Sequence, residues 1–91
     1  MLEKRYDIGI SQEELFTCTS SLDLSCSLNS SLKSKPTNQH FHFKKKGEKG
    51  VLEITLFEQE TYVNIHNNRQ GDWIAEVIKK FEHWIKQKCH P

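Results

Sequence analysis

An α+β fold, with an antiparallel sheet of about five strands, a β-meander at its centre and a C-terminal amphipathic helix packed on one face, follows from three observations in this 91-residue sequence. Apolar and polar residues alternate through three short runs between residues 41 and 65. A lysine- and glycine-containing turn separates the first two runs. Residues 73–85 then repeat apolar side chains at the helical period of about 3.6. Leu, Ile, Val and Phe make up about a quarter of the chain, above the roughly 20% below which chains stay disordered. No apolar run approaches the about 18 residues of a membrane span. The size predicts a single domain over residues 1–91.

The first strand is predicted over Lys4–Ile10, with Tyr6, Ile8 and Ile10 on one face. Ser11-Gln12-Glu13-Glu14 is a capping box, in which Ser11 caps and Glu14 reaches back. It predicts a short helical turn from Gln12 to about Cys18, since the following Thr and Ser residues favour caps and strands over helix interiors. Leu22, Leu24, Cys26 and Leu28 interleave with Asp23, Ser25, Ser27 and Asn29, the pattern of a half-buried strand. In that phase Cys26 is a small core residue. The polar stretch from Asn29 to Asn38, with Pro36, is predicted as a loop.

The meander has an arguable register. Phe41 and Phe43 share a core face with Leu52 and Ile54 when Phe43 pairs with Leu52 and Phe41 with Ile54, because a one-residue slip reverses the faces. That register predicts a two-residue Gly47-Glu48 loop of type II′. In the next hairpin, pairing Leu56 with Val63 and Ile54 with Ile65 leaves Gln59-Glu60 as the loop and sets Phe57 opposite Tyr62 on the outer face; no Gly, Asn or Asp sits in that loop, so a four-residue loop with shifted register competes. Asp72 is predicted as the N-cap of a helix running to about Gln87. Its apolar arc comprises Trp73, Ile74, Val77, Ile78, Phe81, Trp84 and Ile85. Five strands at about 4.8 Å spacing are wider than one helix of about 10–12 Å. The sheet must therefore curl, the Gln12–Cys18 turn must help to cover it, or another chain must.

Charge and cysteine content limit the functional classes. Thirteen Lys and Arg against twelve Asp and Glu give a formal charge of +1, which argues against nonspecific nucleic-acid binding by the whole surface. Three cysteines, Cys18, Cys26 and Cys89, fit reduced thiols better than a disulfide framework, and the charged start lacks the apolar core of a secretory signal, so a cytoplasmic location is expected. No nucleophile, base or carboxylate pair forms a catalytic constellation, and no cofactor motif is present.

Three residue groups remain as candidates. Asn67, Asn68, Arg69 and Trp73 adjoin one another at the start of the last helix and suit a protein-interaction patch; the alternative is turn and cap roles for the first three and a core role, the favoured one, for Trp73. Lys44, Lys45, Lys46 and Lys49 surround Gly47, and with Phe57 and Tyr62 they suit single-stranded nucleic acid, Lys on phosphates and rings on bases. Such lysines also keep a sheet edge soluble. In the preferred registers His42, Glu53 and His66 line up across three strands of the outer face, with His40 two residues from His42 on the same face. Two imidazoles beside a carboxylate suit a divalent metal, although no spacing here matches a known zinc motif. The sequence-based expectation is a non-enzymatic intracellular domain acting by protein–protein contact, as an adaptor, inhibitor, regulatory subunit or homodimer. A nucleic-acid module and a divalent-metal site are the alternatives.

Overall fold

A computed structural model of the chain describes residues 2–32, 35–57, 59–65 and 71–87, apart from the side chains of 2, 28–32 and 35–38. Five strands form one antiparallel sheet: β1 (Leu2–Tyr6), β2 (Leu24–Leu32), β3 (Lys35–Lys45), β4 (Leu52–Phe57) and β5 (Glu60–Ile65). Helix α1 (Gln12–Ser21) follows β1, and α2 (Asp72–Gln87) follows β5. The spatial order β1-β5-β4-β3-β2 is a meander of β2 to β5 with β1 added beside β5. The predicted α+β class, meander and C-terminal helix are all present. Among the described residues, no helix is long and apolar enough to cross a membrane.

Several boundaries differ from the sequence expectation, each for a local reason. Strand β1 ends at Tyr6, not Ile10; Ile8 and Ile10 still pack against the core from the connection to α1. The Ser11–Glu14 capping box is present, but α1 continues three residues past Cys18. Its hydroxyls bond back to the helix's own carbonyls, Thr17 to Glu13, Thr19 to Leu15 and Ser21 to Cys18. These bonds accommodate Ser and Thr inside the helix. Leu22 then serves as the C-cap, and Asp23 takes a positive φ of 61°, so β2 starts at Leu24 rather than Leu22. The expected loop at Asn29–Asn38 is largely strand: β2 runs to Leu32 and β3 begins at Lys35. Pro36 fits there because the β3–β4 ladder begins only at Asn38, where a missing N–H costs no bond to β4.

The first hairpin has the predicted register, Phe41 opposite Ile54 and Phe43 opposite Leu52. Its turn does not. The Glu48 N–H donates to the Lys45 carbonyl at 3.0 Å, and Gly47, with φ 79°, takes the third turn position. That position needs positive φ in a type II turn. The predicted Gly47-Glu48 loop of type II′ is therefore replaced by a wider connection whose turn spans Lys45–Glu48. The second hairpin is shifted by two residues: Ile54 faces Val63, Leu56 faces Thr61 and Phe57 faces Glu60. The faces survive because the slip is even. The predicted Phe57–Tyr62 pair does not, since Tyr62 lies opposite Thr55.

Both helices cover the same side of the sheet. Phe16 of α1 meets Phe41 and Phe43 edge-on, with ring centroids 5.4 and 6.3 Å apart, and Phe81 of α2 meets Tyr6 at 6.2 Å. Leu15, Phe41, Ile54 and Ile85 are completely buried between the layers. Through Leu15 and Phe16, the predicted Gln12–Cys18 part of α1 thus helps α2 to cover the sheet. Cys26 sits opposite Phe43, in core phase as predicted, yet it is exposed at the β2 edge rather than buried. A register shift between Cys26 and Leu28 then sets Leu28 opposite His42.

Candidate metal centre

Period-two geometry puts every second residue of β3, β4 and β5 on the face opposite the helices. On β3 these include His40 and His42; on β4, Glu53, Thr55 and Phe57; on β5, Tyr62 and Asn64. The ladder sets His42 directly across from Glu53 and His40 across from Thr55. Cross-strand neighbours approach to about 4.5–5.5 Å at Cβ, close enough for the imidazoles and carboxylate to converge.

They do converge. His40 Nε2 lies 3.0 Å from His42 Nε2 and 3.2 Å from Glu53 Oε1, and His42 Nε2 lies 3.5 Å from the same oxygen. The two rings meet edge to face, with centroids 4.9 Å apart. On the far side of the His40 ring, Nδ1 is 2.8 Å from Thr55 Oγ1. With that nitrogen donating to the hydroxyl, Nε2 keeps its lone pair toward the cluster, as outer-shell partners of metal-bound imidazoles do.

Burial makes this group unusual. Both helices lie on the other face, yet Glu53 is only 5% exposed. The Glu53 side chain is buried beside imidazoles whose own exposures are 34% for His40 and 18% for His42. A carboxylate removed from water needs a compensating positive charge or several donors. These three residues are the metal-capable cluster found among the described residues.

The ladder sets His42 across from Glu53, as the sequence register expects; the sequence reading took His66 as the third member of that row. His66 lies outside the described residues, and the two-residue register shift sets Asn64, not His66, opposite Glu53. The third member of the cluster is instead His40, whose spacing of two from His42 carried the signal. The other candidates fall elsewhere. Asn67, Asn68 and Arg69 lie outside the described residues. Trp73 is buried, with its indole N–H donating to the Lys49 carbonyl at 2.6 Å. Lys44, Lys46 and Lys49 are exposed and Lys45 is half-buried. They sit at the Leu52 end of β4, whereas Phe57 ends that strand, about 17 Å away at strand rise. Tyr62 is mid-face opposite Arg5 and Thr55. The structure thus brings together the imidazoles and the carboxylate but not the lysines and Phe57. Comparison with protein-family models, curated proteins and solved structures finds no match to this chain.

Proposed function

We propose that the protein binds a divalent transition metal, with zinc the best-fitting ion, through His40 Nε2, His42 Nε2 and Glu53 Oε1. The observation that supports this reading is the ligand triangle. Tetrahedral zinc with ligands at about 2.0–2.1 Å requires ligand–ligand separations of about 3.3–3.4 Å; those here are 3.0, 3.2 and 3.5 Å. An ion at the centre compensates the buried Glu53 carboxylate and accepts both imidazole lone pairs. Protons and metal compete for the same lone pairs, so affinity falls on acidification.

Calorimetric titration of untagged, chelator-treated protein with zinc tests the proposal. One equivalent binds at neutral pH, and zinc at about a hundred times Kd adds about 2.7 kcal/mol, a rise in Tm of about 10–20 °C for a domain of this size. His42→Ala and Glu53→Gln abolish both effects. A wild-type protein unmoved by zinc refutes the reading, as does binding that survives in both variants.

A second reading, non-enzymatic contact with a protein partner or a second copy, has one observation in its favour. Both helices cover one face of the sheet, and the opposite face carries the half-buried rings of Phe57 and Tyr62. Sedimentation over a wide concentration range tests the self-association form; a monomer throughout removes it.

A further inference from the structure

The carbonyl oxygen of the Asn64 side chain is closed to solvent and has no hydrogen-bond donor among the described residues. On the sheet face opposite both helices this is unexpected, because a side-chain acceptor there ordinarily takes a water. Asn64 lies directly across the ladder from Glu53, which in turn lies across from His42, so the three occupy one row of the outer face. Cross-strand neighbours in such a row stand within about 5.5 Å at Cβ. A buried acceptor without a donor costs about 1–3 kcal/mol. A bare divalent ion coordinates oxygen at about 2.0–2.2 Å, closer than a hydrogen-bonded water sits, so it fits where water does not.

Resting on the metal-binding reading above, we infer that Asn64 Oδ1 is the fourth ligand, which completes a set of two imidazole nitrogens, one carboxylate oxygen and one amide oxygen. A four-donor protein set of this kind belongs to a structural, closed centre rather than to a catalytic one with a water position. The donors include no thiolate, so the site takes borderline divalent ions such as zinc and cobalt rather than copper(I). The ion in this arrangement ties β3, β4 and β5 together on the side opposite the helices.

The test compares wild type, Asn64→Leu, Asn64→Ala and His42→Ala, with zinc affinity measured by chelator competition and Tm measured in chelator. Asn64→Leu fills the same volume without an acceptor, so it raises the metal-free Tm while lowering zinc affinity at least tenfold. Asn64→Ala lowers affinity comparably and guards against a folding defect in the leucine variant. In cobalt-loaded protein, either Asn64 substitution moves the visible d–d bands, because water replaces the amide. If both variants keep wild-type affinity and spectrum while His42→Ala loses binding, the assignment of Asn64 is overturned and the three-ligand site stands. If wild type binds no zinc, both fall.

Discussion

Replacing Gly71 with alanine tests how α2 is seated on the first hairpin. Gly71 immediately precedes α2, and its carbonyl accepts the Ile74 N–H at 3.1 Å. A residue at such a helix start gains from a Gly→Ala change by about 0.4–1 kcal/mol when its conformation permits, through the unfolded state. Here the sign reverses. A Cβ on Gly71 falls 1.9 Å from the Lys49 carbonyl oxygen and 2.8 Å from Trp73 Nε1. Reaching ordinary contact requires the hairpin backbone to recede by about 1.5 Å. The same carbonyl accepts the Trp73 indole N–H at 2.6 Å, so the movement breaks that bond and leaves a part-buried donor and acceptor unsatisfied, at about 1–3 kcal/mol. With partial exposure of Trp73, now 7% exposed, the net loss is about 2–4 kcal/mol. Urea unfolding followed by tryptophan fluorescence measures it. Trp73→Phe removes the same hydrogen bond, so the double variant loses less than the two single changes added together. A Gly71→Ala protein within about 0.5 kcal/mol of wild type, or strict additivity with Trp73→Phe, refutes this account of the junction.

Three further outcomes follow from the same geometry. Thr55→Val removes the partner of His40 Nδ1 and lowers zinc affinity about 10–100-fold without abolishing it, measured by chelator competition. The Tyr6 hydroxyl donates to Glu82 at 2.9 Å, with Lys86 and Lys4 nearby, and holds the Glu82 carboxyl down to about 2 from its ordinary 4.5. The stabilisation from the ionised form is complete above about 4.5 and lost as pH falls toward about 2; Tyr6→Phe flattens that acid dependence in pH-resolved thermal melts. Burial pushes the Cys18 thiol up to about 11, whereas Cys26 is exposed. Peptide mapping after brief alkylation therefore finds Cys26 modified and Cys18 intact until unfolding.

The elements legible in the sequence were those with sustained periodicity. The apolar arc of α2 and the alternation around Phe41, Phe43, Leu52 and Ile54 each admit one solution that buries the large side chains, and both were read correctly. The misread elements are those where two local rules conflict. Serine and threonine after Cys18 argue for a helix end, yet their hydroxyls find carbonyls one turn back and α1 continues. In the second hairpin, Glu58, Gln59 and Glu60 carry no turn signature, so two registers with the same faces differ only in the loop; pattern alone cannot separate them. That ambiguity displaced the third member of the candidate site. His42 and Glu53 depended on the secure hairpin and were found. The third position depended on the insecure one, while His40, already on the same strand and face as His42, needed no register at all.

The central claim, a divalent-metal site on the sheet face opposite the helices, is tested most directly by anomalous scattering at the zinc absorption edge from crystals of untagged protein grown with zinc. The account predicts one dominant anomalous peak per chain, at about 2.0–2.2 Å from His40 Nε2, His42 Nε2 and Glu53 Oε1. Absence of a peak at that position in crystals containing zinc, or a dominant peak at the exposed His83 of α2 instead, contradicts it.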